Sequence, residues 1–150
     1  MTIQIGICDD EEIFLECLKE QIDLQLQFTG IKYKLHVFSN GNNLLNISEK
    51  LVLDIVFLDI EMPLINGLEV ASSLRETNPF IHIIFVTNRE DLVFSSFKYR
   101  PFRFIRKQRI AEELPEAISH IAKVMKEENQ YYTINICNSV KQIKISDILY

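Results

Sequence analysis

No stretch of this 150-residue chain approaches the roughly 18 to 20 consecutive apolar residues of a membrane span. Its first residues, MTIQIGICDDEE, lack the basic region and cleavage site of a secretory signal, so the chain is expected to be cytoplasmic, with no membrane partner. Cysteine is scarce: Cys8, Cys17 and Cys137 are odd in number and show no C-x-x-C spacing, which argues against a disulfide framework and a structural zinc site. No G-x-x-x-x-G-K-[ST] string occurs, which excludes a P-loop nucleotidase. Neither an internal repeat nor a low-complexity tract is present. The net charge of −5 disfavours a surface that binds nucleic acid all over, though not one local basic face. What remains, with 47% hydrophobic and 25% charged residues, is the composition of one globular core and a short additional piece.

Three apolar runs without polar alternation read as strands buried on both faces: Ile3 to Cys8, Asp54 to Leu58 and Ile81 to Val86. Tyr33 to Phe38 alternates and reads as a strand nearer an edge, and Phe102 to Arg106 is a last short strand. Between them, Phe14, Leu18, Ile22 and Leu26 fall at helical spacing, and a short helix is expected over 42–50. LEVASSLRET forms a helix after the loop carrying Pro63, Asn66 and Gly67. A weak helix spans about Asp91 to Phe97, and a long one spans 111–128. Five strands alternating with five helices predict an α/β fold with a doubly wound parallel sheet. From Tyr131 the pattern YYTINIC, NS, VKQIKI alternates like a β-hairpin and predicts the beginning of a second, antiparallel domain.

In such sheets ligands sit beyond the carboxyl ends of the strands. Asp9 and Asp10 end the first strand, Asp59 the third, Thr87 the fourth and Lys107 the fifth. Carboxylates gathered on one rim repel one another and call for a cation, and oxygen-only ligation suits Mg²⁺. A carboxylate beside a metal, a hydroxyl and an ammonium is suited to moving a phosphoryl group. Asp59 would attack phosphorus, Lys107 would pair with one of its oxygens and Thr87 would donate to another. The apolar strand IVFL then serves to hold its terminal carboxylate rigidly, with the Glu61 side chain outward and its carbonyl toward the metal.

The ordered set of Asp9-Asp10, Asp59 with Pro63 and Gly67, Thr87 and Lys107 resembles the receiver domain of two-component response regulators, over residues 1 to about 128. The resemblance implies the flavodoxin-like strand order 2-1-3-4-5 and Asp59 as phospho-acceptor for a sensor histidine kinase. It further implies Asp9, Asp10, Asp59 and the Glu61 carbonyl as the Mg²⁺ site, Thr87 and Lys107 as phosphate readers, and Phe104 as a switch aromatic that follows Thr87. No turnover of an external substrate is implied. The strings ICDDE, FVTNRED, RPFRFIRK and ISDILY are similar to regulators with a LytTR-type DNA-binding domain, which residues 129–150 would begin without completing. DNA would then be reached only through that further domain.

Lys107 is followed by Gln108 where the family usually has proline, so Arg106 rivals Lys107 as the phosphate contact. Asp9 reads evenly as metal support or as a solubilising acid. His36, His82 and His120 have no metal-ligand spacing and are assigned no chemistry. KYRPFRFIRKQR, residues 98–109, holds six basic residues and no acid. It lies on the face of helix four, strand five and helix five, which is expected to serve homodimerisation or docking. Two other functions fit the same rim: a Mg²⁺-dependent phosphohydrolase with an aspartyl-phosphate intermediate, and an interaction module with a vestigial pocket.

Overall fold

Apolar strands of this kind need cover on both faces, and the chain supplies it by following each strand with a helix. A computed structural model describes the backbone of residues 1–138 and the side chains of residues 1–129. The elements are β1 (Ile3–Cys8), α1 (Glu12–Gln27), β2 (Tyr33–Phe38), α2 (Gly41–Ser48), β3 (Ile55–Leu58), α3 (Gly67–Thr77), β4 (His82–Thr87), α4 (Val93–Ser96), β5 (Arg103–Arg106) and α5 (Ile110–Asn138). All neighbouring strands pair in parallel, in the order β2-β1-β3-β4-β5. The sheet is therefore the doubly wound one that the sequence predicts.

Because side chains alternate across a strand, each run supplies two cores. Ile5, Ile7, Phe57, Ile84, Val86 and Ile105 face Leu18 and Ile22 of α1 and Leu114, Ile118 and Ile121 of α5. Cys8, Val56, Leu58, Ile83 and Phe85 face Leu44 of α2 and Val70, Ala71 and Leu74 of α3. The register Leu58↔Phe85 and Cys8↔Leu58 brings the three central strands to one rim within a residue or two. Among the described residues no helix is long and apolar enough to cross a membrane.

Two elements differ from expectation. The helix expected over Asp91 to Phe97 is reduced to the four residues of α4, with 3₁₀ turns at Glu90–Leu92 and Phe97–Tyr99. Its only buried residue is Ser96, while Phe94 and Phe97 are exposed, so little apolar stripe exists to hold a longer helix. The segment closes on Arg100 in the left-handed region, with φ 53°. There the Arg75 guanidinium donates to the carbonyls of Tyr99, Arg100, Pro79 and Ile81 at 3.2, 3.0, 2.9 and 2.6 Å. One α3 side chain thus ties the α4–β5 connection to the start of β4.

The second difference corrects the expected hairpin. The backbone of α5 continues through Asn138, so Tyr131 to Cys137, expected as its first strand, is helical. No glycine or proline follows Pro115 before Asn138, and helix propagation adds a hydrogen bond for each residue fixed, which outweighs a local β-like alternation. The expected second strand, within 139–150, lies outside the described residues.

Candidate functional site

The ends of β1 and β3 are fastened before their acids begin. The Asp59 amide donates to the Cys8 carbonyl at 3.1 Å, and the Asp9 amide to the Phe38 carbonyl at 3.2 Å. On the far side, the Gly67 amide donates to the Ile60 carbonyl at 2.8 Å, bringing the start of α3 against this strand end. A capping box between Asn66 and Glu69, at 3.0 and 3.4 Å, sets that helix terminus. A Cβ on Gly67 would strike the Asp59 carbonyl oxygen and stand 2.7 Å from the Ile60 Cα, so only glycine allows the approach. The result is an acid held by backbone on both sides.

Asp9 and Asp59 are almost fully buried, at 1% and 3% exposure, and Thr87 is fully buried. One carboxylate oxygen from each of Asp9, Asp10 and Asp59 lies within 4.8 Å of the others. Lys107 Nζ stands 2.7 Å from Asp9 Oδ2, 2.9 Å from Asp59 Oδ2 and 2.9 Å from Glu11 Oε1, with the Phe14 ring 4.5 Å away. Burial alone would lower the Lys107 pKa, but its close contacts with Asp9, Glu11 and Asp59 outweigh it and hold the amine above the ordinary lysine range. The cleft is about 250 Å³ and is lined by Asp10, Glu11, Asp59, Glu61, Thr87, Asn88 and Lys107.

These residues fit a divalent cation. Four carboxylates (Asp9, Asp10, Glu11, Asp59) face one ammonium, so the cluster is short of positive charge by three when all are ionised. Asp9 Oδ2 is buried without a donor in hydrogen-bond alignment: the Lys107 contact satisfies its charge by proximity, not by direction. Burial, only partly offset by Lys107 and the Glu11 amide, raises the Asp9 pKa. The neighbouring Cys8 thiol, pushed up to about 12 by burial first and then by Asp9, Asp59 and Asp10, lies in the core 3.7 Å from Met62 Sδ and is not among the clustered ligand atoms. The donors left are hard oxygens, which suit Mg²⁺.

The other expected residues fall as follows. Glu61 is exposed, its amide donates to Asp59 Oδ1 at 3.3 Å, and its carboxylate lies 4.0 Å from Arg89. Thr87 Oγ1 accepts from the Arg89 amide at 3.2 Å. Phe104 is half-buried beside Phe85, with centroids 6.3 Å apart, on the sheet face packed by α2 and α3. Arg106, the rival to Lys107, is turned instead to Glu113 and Glu90. Of the six basic residues in 98–109, Arg103, Arg106, Lys107 and Arg109 are paired with acids, which leaves Lys98 and Arg100 without a carboxylate partner among the described residues. Sequence reasoning did not single out Glu11 or Phe14 at Lys107. Glu11 was legible as a third acid after Asp9-Asp10, but Phe14 reads as an ordinary core position. A second cleft of about 380 Å³, at the opposite end of the sheet near Asp54, His82 and Glu128, holds none of the expected site residues.

An acidic rim at the switch point of a five-stranded parallel sheet, closed by a lysine just past its edge strand, marks one class of α/β domain. Comparison with known proteins identifies which. Residues 5–119 match the response regulator receiver domain family, and the chain belongs to that family. It is 32% identical to the sensory transduction protein LytT of Oceanobacillus iheyensis, over 83% of this chain and 50% of that protein. It is 31% identical to the positive alginate biosynthesis regulatory protein of Pseudomonas aeruginosa, over 81% of this chain and 48% of that one. An uncharacterized response regulatory protein of Yersinia pestis is 31% identical over 99% of this chain and 64% of its own length. The chain thus spans about half to two-thirds of the length of these relatives. Among solved structures, the response regulator TrrA of Thermotoga maritima in complex with Mg²⁺-BeF is 31% identical, with a TM-score of 0.67 over 79% of this chain and 97% of that one.

Proposed function

We propose that this receiver is a phosphorylation-controlled switch whose acceptor is Asp59. The observation that carries the reading is the Lys107 ammonium within 2.9 Å of Asp59 and 2.7 Å of Asp9, inside a cleft lined by Thr87. A sensor histidine kinase presents a phosphohistidine. An Asp59 oxygen attacks phosphorus in line, the P–N bond breaks, the imidazole leaves with its electron pair, and an acyl phosphate forms. Asp9, Asp10 and Asp59, with the Glu61 carbonyl, would hold Mg²⁺, which when bound neutralises charge on the transferring oxygens. Lys107 pairs with one phosphoryl oxygen and Thr87 donates its hydroxyl to another.

The new group adds about −1.5 to −2 of charge. Thr87 and Lys107 move toward it, Phe104 follows inward, and the face of α4, β5 and α5 changes shape. Inverting a resting preference of a few kcal/mol needs a differential interaction on the order of 3 to 5 kcal/mol. The exposed Phe94 and Phe97 on that face support its use in homodimerisation. Beyond residue 128, α5 would lead into a LytTR-type DNA-binding domain that controls transcription. The likeness to LytT and to the alginate regulator supports an output of this kind. Cytoplasmic location follows from such a role.

Acetyl phosphate with Mg²⁺ should add one phosphoryl mass to the chain, and none to Asp59→Ala, by intact mass spectrometry. No gain in the unaltered chain would favour a vestigial pocket, and steady turnover of a generic phosphate ester would favour the phosphohydrolase.

A further inference from the structure

Lys107 reaches the acids from a strand of only four residues that passes at once into a 3₁₀ turn, Lys107–Arg109. Its ammonium is held by carboxylates, yet its Cα depends on residue 106. That residue is bonded more heavily than a surface arginine needs to be. The Arg106 amide donates to Glu113 Oε1 at 2.8 Å, its Nε donates to Oε2 at 2.9 Å, and a second guanidinium nitrogen donates to the same oxygen. On its other side, the guanidinium lies 3.5 Å from Glu90 Oε1. Glu113 stands in the first turn of α5, so one carboxylate grips both backbone and side chain of the residue before Lys107.

We propose that Glu113, acting through Arg106, is a positioning residue for Lys107. The inference rests on the proposed function, because it assumes that Lys107 binds a phosphoryl oxygen. The Arg106 amide is fixed to α5, which in turn is fixed to the sheet by Leu114, Ile118 and Ile121. The lysine therefore leaves the strand from a set point, and its stem need not search for the pocket. Carboxylates on both sides also keep Arg106 from turning toward the cleft and competing for the phosphoryl group. Arg106 pairs in register with Thr87, so the grip acts at the level of the reacting atoms.

The test uses the full chain, with beryllofluoride as the phosphoryl mimic. Isothermal titration calorimetry would measure Mg²⁺ alone and then beryllofluoride at saturating Mg²⁺. Glu113→Ala should weaken beryllofluoride binding on the order of tenfold, as loss of an outer supporting group commonly does, with Mg²⁺ affinity retained. Glu113→Gln keeps one acceptor oxygen for the Arg106 amide and should restore part of the affinity. It also carries the test should the alanine variant fail to fold. Glu116→Ala breaks a comparable α5–β5 ion pair, to Arg103 at 3.3 Å, and should leave beryllofluoride affinity unchanged. Unchanged affinity in both Glu113 variants, or equal losses for Mg²⁺ and beryllofluoride, would overturn the proposal. Failure of the unaltered chain to bind beryllofluoride would instead remove the proposed function, and the inference with it, before any variant is made.

Discussion

Substituting Gly67 by alanine tests whether Asp59, the proposed acceptor, is held as the geometry requires. The added Cβ would strike the Asp59 carbonyl oxygen and stand 2.7 Å from the Ile60 Cα and 2.8 Å from the Asp59 carbonyl carbon. All three are backbone atoms, so no flexible side chain can yield. Carbon atoms settle at about 3.5 to 4.0 Å, which requires β3 and the start of α3 to separate by roughly 1 Å. Overpacking of this kind costs about 1 to 3 kcal/mol, and the better helix propensity of alanine returns less than about 1 kcal/mol. Net destabilisation should be up to about 2 kcal/mol by urea denaturation. A displacement of about 1 Å at a reacting group can cost on the order of a hundredfold in rate, so phosphorylation by acetyl phosphate should fall steeply. Gly30 is the control: its φ is 76° and nothing lies within 4 Å of its absent Cβ. Gly30→Ala should cost about 1 kcal/mol through its left-handed backbone alone and leave phosphorylation intact. A Gly67→Ala chain with unaltered stability and unaltered rate would refute the reasoning.

Four further outcomes are expected. Iodoacetamide at about pH 8 should alkylate exposed Cys17 in the folded chain and spare Cys8, whose thiol is buried and pushed up to about 12, until denaturant is added; peptide mass mapping reads this. Hydrogen bonds from Arg106 hold the Glu113 carboxyl below its usual range, so its contribution is present above the unfolded pKa and disappears as pH falls through the depressed folded value. Urea titrations should find the unaltered chain about 0.5 to 1 kcal/mol more stable than Glu113→Gln near neutrality, the difference closing below about pH 4. Glu11 is the exposed arm of the Lys107 cluster, so Glu11→Gln should change the phosphorylation rate by under about fivefold. Asp9→Asn, at the buried arm, should weaken Mg²⁺ binding by at least about tenfold in calorimetry.

The sheet was legible because Ile3 to Cys8, Asp54 to Leu58 and Ile81 to Val86 need apolar cover on two faces, which restricts them to the inside of an α/β stack. The rim was legible for the same reason: each run ends in a polar residue, and parallel strands point those ends the same way. Length was the weaker signal. α4 has four residues because Phe94 and Phe97 find no core, and the pattern from Asp91 to Phe97 does not reveal that. YYTINIC alternates like a strand, but its neighbour in the chain is a helix with no stop signal, and local pattern yields to propagation. Lys107 and Arg106 are adjacent and both basic. What separates them is Glu113, seven residues on in the next helix, a relation visible only once α5 has turned back along β5.

Strand order explains why each position carries the side chain it does. Asp59 sits at the end of the central strand β3, and parallel neighbours are spaced about 4.8 Å apart. β1 is adjacent on one side and contributes short carboxylates, Asp9 and Asp10, within metal reach. β4 is adjacent on the other side and contributes Thr87, whose hydroxyl also needs only a short stem. β5 is two strands away, roughly 10 Å, and from there a short side chain falls short. Only a long flexible cation closes the distance, and the ammonium of Lys107 crosses β4 to meet Asp59 and then Asp9, which belongs to a strand farther still. Acid, acid, hydroxyl and amine, read in chain order, are thus side-chain lengths matched to strand separations, and this matching makes the set of residues more informative than any one of them.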